Sequence, residues 1–282
     1  MSGIPPEACA SIFKALSERQ FSPIIVGGQA VNLWATVYEP WDKANNPEPV
    51  PLSQYRPFVS KDLDLTAISN HQLSFLPGIV ERHISRRQFR DFAPDTGTFF
   101  FEAEGIGRIR VEVLSRVLGA DNDEIEAHAI TLDLAGTPVR LPDPLVVLKC
   151  KIANAATLPQ TSRSDVPQLQ MMIRCVRAYI GEDVQNGVEA RKILKLIERL
   201  EAIRKHRYTK SAAIKYGLDF AKCIPVPQLQ ERAQTDEKIR NYLHHQLGVA
   251  TQGENKDPGA SKQILTRPLR PKLPPGSGSI HP

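Results

Sequence analysis

SKDLDL, residues 60–65, is the stretch on which the reading of this chain turns. Residues two apart in a strand share a face, so Asp62 and Asp64 project together while Leu63 and Leu65 pack behind them. Two carboxylates on one face repel each other and lose solvation unless a cation sits between them. A D-x-D of this kind, taken alone, is as readily the exposed polar face of a strand. Two further stretches change the weighing. VGGQA at 26–30 closes the apolar run FSPIIV and opens a helical pattern, leaving Gly27 and Gly28 at a helix N-terminus. Bare backbone N–H groups and the helix dipole favour a phosphate at such a place, and the missing side chains let it approach. RVEVL at 110–114 alternates, so Glu112 points out of an apolar layer formed with Val111 and Val113. A neighbouring strand would bring Glu112 beside the aspartates. Hard oxygen ligands of this type suit Mg²⁺, which keeps waters and takes substrate phosphates as its remaining ligands.

In this order, strand–GG–helix, then KDLDL, then hEhL, the motifs resemble those of the DNA polymerase β-type nucleotidyltransferase superfamily. Among its members they are most similar to the compact bacterial ones, including abortive-infection and toxin–antitoxin nucleotidyltransferases. The resemblance covers roughly residues 20–180. It implies a mixed sheet, a two-metal site for Mg²⁺ or Mn²⁺, and transfer of a nucleotidyl group from an NTP. By position, Gly27 and Gly28 would hold the triphosphate, with Gln29, Ser60 and Lys61 beside them. Asp62 and Asp64 would bridge both metals, and Glu112 would be the third ligand and base for the acceptor hydroxyl. LPDPLVVLKCKIANA (141–155) and RSDVPQL (163–169) resemble the helical element that follows the catalytic sheet. There a lysine and an aspartate face the nucleotide, which selects Lys149, or else Lys151, and Asp165 with Arg163 next to it. Residues two apart on a helix do not share a face, so one of the two lysines reaches the phosphates; Lys149 is the first choice. Three features depart from the family pattern: Gln29 stands where many members have Ser or Thr, Glu112 where many have Asp, and the 39–58 insertion is long.

The rest of the sequence sets the frame. The chain has 282 residues with 36 Lys plus Arg and 31 Asp plus Glu, for a net charge of +5. Charge is unevenly spread: residues 1–136 carry 12 basic and 18 acidic side chains, and residues 137–250 carry 19 and 11. The basic part suits an anionic partner, and RNA, a tRNA end among the candidates, is the expected acceptor. A protein hydroxyl and a small antibiotic-like molecule are the other acceptors the resemblance admits, and a cognate inhibitor protein is a further partner. A reading of a different class is a non-catalytic RNA- or partner-binding module on a degenerate scaffold. Against it, a dead site need not retain three mutually repelling carboxylates. Cys9, Cys150, Cys175 and Cys223 form no C-x-x-C pair, so a reducing, cytoplasmic setting is expected. No apolar run has the length of a membrane span, and the N-terminus lacks the pattern of a signal peptide.

The expected fold class is α+β: a mixed-sheet nucleotidyltransferase fold over 1–142, a helical region over 143–250, and a disordered Pro/Gly-rich basic tail over 251–282. Periodicity predicts helices over 5–19, 29–38 and 70–90, a loop over 39–57, and strand pairs at 98–103 with 108–114 and 127–134 with 137–141. Helices are predicted at 145–156, 166–180, 188–206, 211–222 and 228–247. Arg82, Arg86, Arg87 and Arg90 read as an exposed helix face or an RNA path. The run RKHRYTK at 204–210 reads as a helix end or a phosphate and stacking contact. The histidines show no metal-ligand spacing.

Overall fold

The computed structural model describes residues 3–18, 20–45, 50–66, 79–83, 95–103, 107–161 and 163–247. The tail over 251–282, most of the helix expected over 70–90, and Arg86, Arg87 and Arg90 lie outside these residues. Among the described residues, seven strands form one mixed sheet: β1 (Ile24–Val26), β2 (Leu63–Thr66), β3 (Ile79–His83), β4 (Asp95–Ala103), β5 (Gly107–Leu114), β6 (Ala129–Leu134) and β7 (Thr137–Pro142). Their order across the sheet is β3-β4-β5-β2-β1-β7-β6. β2 pairs antiparallel to β1 and parallel to β5, and β1 pairs parallel to β7. The Ile-Ile-Val of β1 is buried throughout, as expected of a central strand covered on both sides. In β5, Ile109, Val111 and Val113 are buried while Arg108, Arg110 and Glu112 face the other way, the period-2 signature of one dry face.

The helices are α1 (Cys9–Ser17), α2 (Gly27–Asn45), α3 (Asn122–Ala127), α4 (Pro144–Thr157), α5 (Asp165–Gln185), α6 (Ala190–Lys205), α7 (Arg207–Tyr216), α8 (Val226–Ala233) and α9 (Glu237–Tyr242). α4 starts sharply because Asp143 accepts a hydrogen bond from Val146 N at 2.9 Å and Pro144 supplies a helix-ready φ. One buried cluster runs from Ile12 and Ile25 through the sheet into α5, α6, α8 and α9, ending at Leu243. A smaller cluster of Ile24, Val26, Ala120, Ile125, Val146 and Cys150 closes the other side of β1. The four cysteines are buried and none is in a disulfide among the described residues. Among the described residues, no helix is long and apolar enough to cross a membrane.

Four expectations are corrected. The loop expected over 39–57 begins later, because α2 continues through Pro40 to Asn45. A proline removes one helical hydrogen bond and crowds the preceding turn, but the next two side chains are anchored outside the helix. Trp41 Nε1 donates to Gln185 Oε1 at 2.7 Å, and the buried Asp42 accepts from Leu52 N at 2.7 Å. Residues 79–83 are a strand, not helix: β3 pairs antiparallel with β4, Arg82 opposite Phe99. The helix expected over 211–222 starts at Arg207 and stops at Tyr216, because Gly217 adopts φ 63° as its cap. A short 3₁₀ turn at Phe220–Cys223 follows. Likewise α8 and α9 replace one helix over 228–247. Both strand pairs form where expected, the second turning through Ala135 and Gly136, both with positive φ.

The seam between α2 and α5 is tight. A methyl group at Gly181 would lie 2.3 Å from Trp41 Cζ2. In an open helix Gly→Ala stabilises by about 1 kcal/mol; here the overpacking reverses the sign. Gly181→Ala is expected to lose about 1–3 kcal/mol in urea unfolding. The loss should shrink when Trp41→Leu is added, which a double-mutant cycle reads directly.

Candidate metal and nucleotide site

The register of three strands builds the site. Asp64 lies opposite Glu112 across the parallel β2–β5 pair and opposite Val26 across the antiparallel β1–β2 pair. Residues paired across a ladder share a face, so Asp64 and Glu112 emerge together while Leu63, Leu65, Val111 and Val113 are buried beneath. Asp62 sits just before β2. One carboxylate oxygen from each of Asp62, Asp64 and Glu112 lies within 4.8 Å of the others. Glu112 Oε1 is also 2.5 Å from Arg110 Nη2, two residues back on the same face of β5.

This crowding has an electrostatic signature. Burial, with the charges of Asp62 and Glu112 added, pushes the Asp64 carboxyl up to about 7, against the opposing pull of Lys151 and Arg163. Three hard oxygen donors in mutual repulsion are the donor set that a small divalent cation such as Mg²⁺ or Mn²⁺ satisfies. Asp62, Asp64 and Glu112 therefore fit such an ion.

Directly above stands the start of α2. Gly27 has φ +66°, and a Cβ there would lie 1.8 Å from Asp64 Oδ2. Gly28 is confined as well: a Cβ would come within 2.9 Å of both Gln168 Nε2 and Ser60 Oγ. Each glycine therefore lets a polar side chain of the site approach the backbone closely. Ser60 is held through its backbone, which exchanges hydrogen bonds with Ile4 at 2.6 and 3.0 Å. Lys61 is exposed.

Two assignments move. Gln29, expected to approach a phosphate, is 0 % exposed; its amide donates to Cys9 Sγ at 3.3 Å and accepts from Asn32 Nδ2 at 3.1 Å. It is a packing residue of the α1–α2 contact. Lys149 is bound away to Glu124, with its Nζ at 2.6 and 2.9 Å from the two carboxylate oxygens. Lys151, only 4 % exposed, is the lysine whose charge is felt at Asp64. It donates to Asp165 Oδ1 at 3.1 Å, and Arg163 Nε donates to Asp165 Oδ2 at 2.6 Å. Burial works against the charge of Asp165, but Lys151 and Arg163 outweigh it and hold the carboxyl below its usual range. The structure thus brings together Gly27, Gly28, Ser60, Asp62, Asp64, Glu112, Lys151, Arg163 and Asp165. It adds Gln168, one turn along α5 from Asp165, which no sequence pattern singled out.

No protein-family model and no curated protein matches this chain. Among solved structures, the crystal structure of an antigenic nucleotidyltransferase-like protein from Paracoccidioides brasiliensis is similar over 76% of this chain and 95% of that one. The sequence identity is 16% and the TM-score 0.41.

Asp64 makes metal-free stability depend on pH. Its folded value near 7 lies above the ordinary 3.8, so its favourable contribution is complete below the unfolded value and is lost as pH rises through about 7. In EDTA, Asp64→Asn is expected to gain on wild type as pH is raised from about 5 to about 8 in urea titrations. Mg²⁺ or Mn²⁺ should restore wild type at the upper pH and leave the variant unchanged.

Proposed function

We propose that this chain is a divalent-metal-dependent nucleotidyltransferase that moves an NMP from an NTP to a hydroxyl acceptor, with RNA as the acceptor class. One observation carries the reading: three carboxylates from adjoining strand positions converge directly beneath a glycine-opened helix N-terminus. Carboxylates that crowd one another and a helix end that attracts phosphate are opposite preferences. A metal-bound nucleotide triphosphate satisfies both.

Divalent cations bound here would supply the charge that lowers the acceptor hydroxyl's pKa and offsets the departing pyrophosphate. The chain's own residues position and polarise. Asp62, Asp64 and Glu112 hold the cations, and the first N–H groups of α2 face the triphosphate. Lys151, fixed by Asp165, offsets charge that develops on the leaving oxygen. The acceptor oxygen attacks the α-phosphorus in line, the bond from that phosphorus to the bridging oxygen breaks, and pyrophosphate leaves. The acceptor's proton passes to Glu112. Most of the rate comes from alignment and charge, with no covalent enzyme intermediate. RNA is favoured by the 19 basic against 11 acidic residues over 137–250. Exposed Lys205, Arg207 and Lys210 at the α6–α7 junction contribute to that excess.

The test uses purified protein with Mg²⁺, each α-labelled NTP in turn, and total cellular RNA with protein extract. Label should enter an RNA band with wild type and vanish with Asp62→Asn/Asp64→Asn; label in a protein band instead would reassign the acceptor. Absence of label with every NTP and both acceptor classes, from folded protein that binds Mn²⁺, would overturn the reading. Lys151→Met is expected to lower the rate about 100-fold or more, whereas Lys149→Met should stay within about threefold of wild type. Equal losses from the two lysines would contradict the placement of Lys151.

A further inference from the structure

Between Glu201 and Asp219 the sequence holds five Lys and Arg residues and no acidic one. The stretch ends α6, turns at His206 and forms the whole of α7. Successive helix residues are about 100° apart, so Arg207, Lys210, Ser211, Ile214 and Lys215 share one side of α7. All five are exposed, Ile214 at 87 %. Thr209 and Ala212 are buried on the opposite side, where the Tyr216 hydroxyl donates to Ala155 O at 3.0 Å. Ala155 is one turn beyond Lys151 on α4, so the dry side of α7 is seated on a helix of the metal site.

Arg204 is paired with Glu201. Lys205, Arg207, Lys210 and Lys215 have no carboxylate within ion-pair distance among the described residues. The printed contacts of Arg207 and Lys215 are uncharged. Arg207 lies over the Tyr208 ring at 5.0 Å and donates to its hydroxyl at 3.3 Å, and Lys215 lies over the Tyr216 ring at 5.0 Å. The first turn of α7 also opposes the helix dipole, since it begins with Arg207 and has no acidic side chain. A polyanion relieves both costs. A protein-binding patch keeps charge from its centre and gathers aromatic and apolar area there; here long cations surround Ile214. A helix that lies in a membrane surface needs its apolar side free, and that side of α7 is committed to α4. A convex row of cations spanning about 12 Å from Arg207 to Lys215 fits a phosphate backbone, bound without regard to base sequence.

We propose that the exposed side of α7, with Lys205 at its head, docks the phosphate backbone of the acceptor RNA. The proposal rests on RNA as the acceptor class of the transferase reading. Arg207, Lys210 and Lys215 touch phosphates of the acceptor and none of the reacting atoms, so they govern acceptor binding and leave the chemical step alone.

The test is fluorescence anisotropy of the full chain in EDTA with a labelled RNA hairpin, from about 50 to about 200 mM KCl. Lys210→Gln/Lys215→Gln should weaken binding about tenfold and lower the slope of log affinity against log salt by about 1–2. Lys14→Gln/Lys43→Gln removes the same charge from exposed positions on α1 and α2 and should stay within about twofold of wild type. Asp62→Asn/Asp64→Asn should bind the hairpin as wild type does. With Mg²⁺ and an α-labelled NTP, Lys210→Gln/Lys215→Gln should raise KM for RNA about tenfold and keep kcat. Equal weakening by the two lysine pairs, or unchanged affinity and slope in the α7 pair, would overturn the docking surface and leave the transferase reading standing. Weakening confined to the α7 pair, with no label transferred by any of the proteins, would keep the surface and overturn the transferase reading alone. Binding of wild type to polyglutamate or to phosphatidylserine vesicles, with none to RNA, would assign the face to an acidic protein or a membrane and overturn the proposal.

Discussion

The repulsion among Asp62, Asp64 and Glu112 is the constraint around which this molecule is arranged. The residues around these carboxylates are placed to tolerate that repulsion. β2 must lie between β1 and β5 in one register, because a slip of a single residue would turn Asp64 into the core and Leu63 or Leu65 to the surface. β1 must be apolar on both faces, since Ile24 and Val26, on the face that carries Asp64, pack against α3 and α4, while Ile25 enters the larger buried cluster on the other. Gly27 must lack a side chain because the Asp64 carboxylate already occupies that space. The strain of a positive φ is thus confined to the one residue type that adopts it readily.

The helical half answers the same constraint with charge of the opposite sign. Lys151 on α4 and Arg163 just before α5 converge on Asp165, and both cations temper the raised carboxyl of Asp64. A buried lysine needs a buried partner, and a buried aspartate with two cations keeps its charge. The acidic first half and basic second half of the sequence therefore meet at one place. The buried cluster that joins sheet and helices, together with the Trp41–Gly181 contact, holds that meeting point still.

What could be read from the sequence depended on how local the determining physics was. β5 and the β6–β7 pair were legible because alternation and a glycine turn act over neighbouring residues. The carboxylate triad was legible because D-x-D in a strand and an outward Glu112 leave few arrangements that avoid a cation. The end of α2 was not, because Pro40 and the polar run after it argue for a loop. The anchors that extend the helix, Gln185, Arg174 and Leu52, lie 10 to 144 residues away. Nor was the choice between Lys149 and Lys151, since both sit on one helix and differ only in whether Glu124 or Asp165 lies opposite. Gln29 misled because its position in the motif implies a ligand contact, while its actual partners, Cys9 and Asn32, are set by how α1 packs. The strand at 79–83 depended on pairing with β4, which no window of neighbouring residues contains.

α2 also holds both tryptophans of the chain, Trp34 and Trp41, about two helical turns apart. Trp34 is buried, stacked on Tyr38 with ring centroids 5.6 Å apart, and donates to the carbonyl of Pro142 at 2.9 Å. Trp41 lies against Gly181 and donates to the side chain of Gln185. The tryptophan fluorescence of the protein therefore comes from a single helix with two unlike surroundings. Light from Trp34 registers the junction where β7 passes into α4, and light from Trp41 registers the seam with α5. Spectroscopy without any label accordingly observes the contact between the sheet half and the helical half, and the β3–β4 edge of the sheet contributes no emitter of its own.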